Sequence, residues 1–487
     1  MQGNRKAPRS AVRSGLLTGL STAAVSGAAG IAGAILSRKF GHGATTDGFF
    51  AAYAIYLALL LVASSLRVVV LPDLVRAHAA GALGRELGSW AVSLAVPLAP
   101  AVAVGLAAPH AVAGLLTQSP EARASAAKLL PWLACAAAAQ VYAGVAASGL
   151  AALDDYGTAA LGYLAGAVAG VATIAALVGH GVAAFGWGLA VNGAVSLAIP
   201  LAVLVRRRAV GLPSGGAGRR LRALAEGVSL PFALQGLYLI GYRFASGLGT
   251  GKPTTFSYAY LIASLLVAVT ATSVALISSA PLARGELTPE RSSRHIVSAS
   301  WASLAIVAGA AGFFALAGER VARIVLGSSY GGQTGAELGR LVAYLAPWMV
   351  ASVALSVAFP LLFVRGRAAW LPLLAAVALG VHVLLEWAGR AWLGLAGIAA
   401  GMAVTTFAIL AVLLVALGAL RPTLRGLAAA SAACGLPALI LFGGSRLVVS
   451  ALPAAGIGLV LYAAALALWR PPGLVAGWAY LRRLHDR

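Results

Sequence analysis

The stretch GHGATTDGFFAAYAIYLALLLVASSLRVVVLPDLVR, Gly41 to Arg76, decides the fold. A glycine-rich turn with one acid, Asp47, leads through aromatics into an apolar run that stops at Pro72. Residues Gly249 to Arg284 repeat the plan as GTGKPTTFSYAYLIASLLVAVTATSVALISSAPLAR. Both copies open on Gly-x-Gly and a Thr-Thr pair (Thr45–Thr46, Thr254–Thr255) and close on Pro then Arg (Pro72 and Arg76, Pro281 and Arg284). Two further echoes keep the same order. Pro131–Trp132 returns as Pro347–Trp348, and the Gly188–Gly193 segment returns as Gly397–Gly401. A repeat of roughly two hundred residues in an apolar chain predicts two similar halves around a central path.

Composition sets the class. Of 487 residues, 61% are hydrophobic and 10% charged, against about 25% charged in an ordinary soluble domain. So much apolar surface cannot be buried in a water-soluble fold, which predicts an all-α polytopic membrane protein. A span needs about 20 apolar residues, and that template is met about fourteen times. The first spans cover 14–36 and 49–72, and the last covers 446–469. The expected organisation is a basic tail (1–13), six spans (14–205), a basic linker (206–223), six more spans (224–418), and a final helix pair with a basic tail (419–487). Six spans per half make both halves enter the membrane from the same side, a parallel repeat about the membrane normal. The first apolar run follows Arg5, Lys6, Arg9 and Arg13 and exceeds a signal-peptide h-region, so it is expected to be retained.

The net charge of +22 does not point to nucleic acid. With both termini on the cytoplasmic side, about two-thirds of the 35 Lys and Arg fall in the tails and inner loops, the positive-inside pattern. The charge therefore reports orientation in a cytoplasmic (inner) membrane, together with attraction to anionic lipid heads. Cys135 and Cys434 sit in apolar spans as small hydrophobes. No metal or cofactor spacing is present, and coupling is expected instead to a proton, a monovalent cation or the membrane potential.

Polar residues inside spans are functional candidates. Ser26 shares a helix face with Thr18 and Thr22, either as helix–helix glue or as a cavity wall. Asp47 either stabilises the start of the next helix or takes part in gating. Arg67, five residues before Pro72, and Arg243 either snorkel to the interface or face inward. Asn192 lies in the Gly188–Gly193 segment. Gln235, Tyr238, Tyr242 and Ser246 form one polar-aromatic stripe. His382 and Glu386, four apart on one face, are the ion-coupling candidates, unless Glu386 pairs with Arg390 or lies at the outer interface.

The segment FGHGATTDGFFAAY, with Asp47 as its acid, resembles the start of the lipid II flippase (MurJ/MviN-like) family of the multidrug/oligosaccharidyl-lipid/polysaccharide exporter superfamily. Arg243–Ser246 through Ser257–Ala259 is similar too. The resemblance implies two six-helix lobes plus a final pair, alternating access, and a polyprenyl-linked saccharide as cargo. It also implies arginines in a central cavity, suited to a pyrophosphate. At the matching places this chain has Ser26, Ala32, Ala54, Leu60, Leu61 and Leu261. A flippase is the leading expectation, and the absence of a nucleophile or a Walker loop is in keeping with a non-enzyme. An exporter of small amphipathic or cationic molecules fits a less cationic cavity. A non-transporting scaffold that recruits cell-wall synthesis proteins is the third alternative.

Overall fold

The structure is a computed structural model and describes residue 25 and residues 27–272, 288–365 and 368–485. Thr18, Thr22, Ser26, the tail 1–13, Pro281 and Arg284 lie outside the described residues. Within them all regular structure is helical. Helix α1 covers residues 27–40. It is followed by α2 (Ala44–Ala79), α3 (Leu83–Ala107), α4 (Pro109–Leu116), α5 (Pro120–Ala152), α6 (Tyr156–Leu177), α7 (Ala183–Arg206) and α8 (Ala217–Ala245). Then come α9 (Lys252–Val267), α10 (Pro289–Leu326), α11 (Gln333–Tyr344), α12 (Ala346–Val364), α13 (Leu371–Leu393), α14 (Leu395–Ala416), α15 (Leu420–Val448), α16 (Ala451–Trp469) and α17 (Pro472–His485).

The chain is an all-α, multi-pass membrane protein. Among the described residues, 12 helices are long and apolar enough to cross a bilayer. The other two expected spans fall on 14–36, which is described only in part, and on 49–72, which lies within the continuous helix α2. The chain divides into two compact units, Met1–Leu239 and Ile240–Arg487, with the boundary inside α8.

The quoted stretch builds the first unit because its glycines do two jobs. Gly41 holds φ +68°, a left-handed turn that an L side chain disfavours. Gly43 is the N-cap of α2, and the Thr46 hydroxyl ties back to Gly41 O at 2.9 Å. The echo keeps the left-handed glycine and the glycine cap but not the cap's conformation: Gly249 holds φ +115°, and Gly251, the N-cap of α9, is left-handed at φ +84° where Gly43 is extended. Gly48 then lets α2 lie against α5, since a Cβ there would overlap Ala122 O. Phe49 and Tyr53 stack at 5.2 Å, and Phe49 meets Phe185 of α7 edge-on at 5.4 Å. At the other end of the unit, Leu66, Leu74, Trp90, Leu150 and Leu204 make a closed core with Leu224 of α8.

The two halves place the shared Pro-Trp pair differently. The Pro131 echo sits inside the unbroken α5, which begins at Pro120 under a Ser119 cap. Its counterpart Pro347 opens α12, directly after α11 ends. Pro lacks an N–H, so it is tolerated in the first turn and disrupts a helix interior. In the second unit the chain takes the first option and breaks into two helices.

Candidate functional site

His382 and Glu386 are brought together in the second unit, where α13 packs on α14. Leu371, Ala375, Ala378, His382 and Glu386 form the buried stripe of α13, while Leu384 and Trp387 between and beside them are about 70% exposed. The close approach is made by glycine. A Cβ on Gly397 would overlap Gly389 O, and one on Gly401 would stand 2.7 Å from Glu386 Oε1. Gly401 is thus the space that the carboxyl occupies.

Both side chains are 0% exposed. Glu386 Oε1 lies 3.3 Å from His382 Nε2, close but not aligned as a hydrogen bond, and neither carboxyl oxygen has a hydrogen-bond partner among the described residues. His382 Nδ1 lies 3.0 Å from Thr405 Oγ1, whose hydroxyl donates to Gly401 O at 2.9 Å. With its one proton used there, Thr405 accepts from Nδ1–H, and Nε2 is turned to the carboxyl. A bare carboxylate beside a neutral ring, both without exposed surface, would be an unpaired buried charge, costing several kcal/mol. Arg390, the alternative partner, makes no ion pair with Glu386. Its guanidinium packs over Gly247 instead. Exposure of Glu386 at an interface is likewise not what the structure places there.

The first unit carries a related crossing between α6 and α7. Gly188 approaches Gly170 O to 2.7 Å at its would-be Cβ, as Gly397 approaches Gly389. Four and eight residues on, the first unit has Asn192 and Ser196, and the second has Gly401 and Thr405. In the first unit the roles of large and small are exchanged. Gly166 of α6 makes room for Asn192 and Ser196, whose would-be clash includes Asn192 Oδ1 at 2.9 Å. Asn192 Oδ1 accepts from Gln140 Nε2 and from Ser196 Oγ, each at 3.2 Å. This cluster has no titratable member. Asn192 therefore lies at an interhelical contact, and Gln140 and Ser196 are partners that the sequence did not single out.

The remaining candidates are dispersed. Asp47 is 2% exposed in the first turn of α2, and its N–H bonds Gly43 O at 2.9 Å. It stands one turn inside the cap, at the positive end of the helix. Arg67 lies in α2, with its side chain outside the described set. On α8, Gln235 and Tyr238 belong to the first unit and Tyr242 and Arg243 to the second. Gln235 is 6% exposed, and both tyrosines are fully buried. Arg243 Nη1 reaches Ser246 Oγ at 3.4 Å. The nearby α9 continues into a π-helical turn, Ala268–Thr272.

No family model matches the sequence, and no curated protein does. Solved structures match in fold. A lipid II flippase, MurJ, in an inward closed conformation shares 12% identity, with a TM-score of 0.74 over 93% of this chain and 99% of that one. An inward-facing multidrug resistance MATE family transporter of the MOP superfamily shares 17% identity, with a TM-score of 0.62 over 83% and 94%. A MOP superfamily transporter from Pyrococcus furiosus, described as having a binding pocket of reverse polarity, shares 16% identity, with a TM-score of 0.61 over 87% and 96%. The chain has the fold of these membrane proteins.

Proposed function

We propose that this chain is an alternating-access transporter of the cytoplasmic membrane, with both termini inside, that moves a polyprenyl-linked saccharide of the lipid II type to the outer leaflet. The supporting observation is the end-to-end match of fold to a lipid II flippase, joined to the FGHGATTDGFFAAY segment that opens α2. Such transport makes and breaks no covalent bond, so it needs no nucleophile. Asp47, Arg67, Asn192, Gln235, Tyr238, Tyr242 and Arg243 are the candidate cargo-path residues. The His382–Glu386 pair is the candidate coupling group: a site that holds one proton, or a monovalent cation on its oxygens, biases a two-state transporter by its differential affinity for the two states.

One observation favours a second reading, export of small amphipathic or cationic molecules. Positions where the flippase resemblance implies arginine carry Ala54, Leu60, Leu61 and Leu261 instead, and Ala54 is fully buried. Vesicles reconstituted with the purified chain separate the two. Translocation of a lipid-linked saccharide, with no uptake of a cationic dye, supports the flippase. Dye uptake alone selects the exporter.

A further inference from the structure

The loop between α7 and α8 is built as a latched strap. Ala209, three residues past the end of α7, donates its N–H to Leu204 O at 2.9 Å and joins the core around Leu87 and Trp90. Gly211 N–H donates to Gly84 O at 3.1 Å. Glycines permit this approach, since a Cβ on Gly88 would overlap Gly211 O. Ser89 Oγ accepts from Ser214 N–H at 2.7 Å. Arg220, 3% exposed, closes the far end with a bidentate pair to Glu86 (Nε–Oε1 2.9 Å, Nη2–Oε2 2.7 Å) and donates Nη1 to Gly215 O at 3.0 Å.

What the strap displays is different in kind. Leu212 is 86% exposed at its tip. Arg206, Arg208 and Arg219 are exposed and make no ion pair among the described residues, whereas Arg207 is paired with Asp155 and Arg222 with Glu226. Arg208 holds φ +53°, a conformation that L side chains avoid and glycine accepts. An apolar tip flanked by unneutralised guanidiniums, at the ends of membrane-crossing helices, is complementary to an anionic bilayer surface. Such a bilayer surface would offer the leucine its acyl boundary and the guanidinium forks their phosphate oxygens.

We propose that residues 209–216, together with Arg206, Arg208 and Arg219, form a docking surface for anionic phospholipid headgroups, held in shape by the Arg220–Glu86 clamp. This does not depend on the transport reading.

The full chain in detergent is titrated with short-chain phosphatidylglycerol, short-chain phosphatidylcholine and glycerol phosphate, with binding read by native mass spectrometry. One basic residue at an anionic surface is worth about fivefold. The triple variant R206Q/R208Q/R219Q should therefore bind phosphatidylglycerol on the order of a hundredfold more weakly. Leu212→Ser, at a side chain that packs on little, should weaken it severalfold with an unchanged melting temperature. Glu86→Gln, which keeps every displayed guanidinium, should also weaken it severalfold. Equal phosphatidylglycerol affinity in the wild type and in the triple and Leu212 variants overturns the proposal. So does competition by glycerol phosphate as strong as by the lipid, which would mark a free-phosphate site, or equal affinity for phosphatidylcholine. An unchanged Glu86→Gln overturns the role of the clamp.

Discussion

Replacing Glu386 by Gln tests a titratable pair that the fold buries between α13 and α14. The amide matches the carboxyl in volume, and Gly401 already provides the space, so packing is preserved. Its NH2 can donate toward His382 Nε2, 3.3 Å from Oε1 in the wild type. Folding stability should change by less than about 1 kcal/mol, because no cavity and no unpaired charge is created. Coupling should change far more. One proton across one pH unit is worth about 1.4 kcal/mol, a factor of at most about ten in a two-state equilibrium. In proteoliposomes with a one-unit gradient, the wild type should show a change in initial rate approaching about tenfold, and Glu386→Gln should show none. Gly401→Ala provides an independent perturbation: its Cβ would lie 2.7 Å from Oε1 and displace the same carboxyl without changing its chemistry. It should give a reduced but non-zero response. A Glu386→Gln protein that folds and keeps the full pH response would refute the reasoning.

Other outcomes follow from single contacts. Gly397→Ala sets a methyl against the backbone of Gly389, and forcing the helices apart should cost about 1–3 kcal/mol, read as a lower melting temperature in detergent. Arg220→Ala leaves Glu86 without its bidentate partner at a largely buried site. The loss should be about 3 kcal/mol, and high salt should rescue little of it. Gln140→Ala removes one of two donors to Asn192 Oδ1 and should cost about 1–2 kcal/mol, with transport retained if that cluster only holds α5, α6 and α7 together. Asp47→Asn should lower stability by about 0.3–1 kcal/mol through the helix dipole. A larger loss of transport than of stability would assign Asp47 a part in the cargo path.

Much of the fold was legible because a membrane span announces itself in composition. The long apolar runs needed no partner to be recognised. The short helices α4, α11 and α17 were missed, since each is shorter than the 20-residue template and lies where apolar runs pause. The repeat was visible in sequence, but its purpose was not. Gly41 and Gly249 matter because both turn left-handed before a helix, and Gly188 and Gly397 matter because both meet a preceding helix backbone. Glycine in an Ala/Gly-rich chain gives no sign of which copy does this. His382 and Glu386 were found by their four-residue spacing. Thr405, on the next helix, was not, because hydroxyls are common in spans and only the packing of α14 selects this one. The linker 206–223 reads in sequence as a basic cytoplasmic segment touching lipid head groups, with no sign of a fixed shape. Its fixed strap depends on Glu86 and Ser89, more than a hundred residues earlier in the chain.

The most direct test of the transport assignment is complementation of cells depleted of their lipid II flippase by this chain, expressed at a level verified in the membrane fraction. The account predicts restored growth and cell-wall synthesis, lost again in a variant locked between its two access states. Full membrane expression without rescue, alongside cationic-dye export in vesicles, would contradict it.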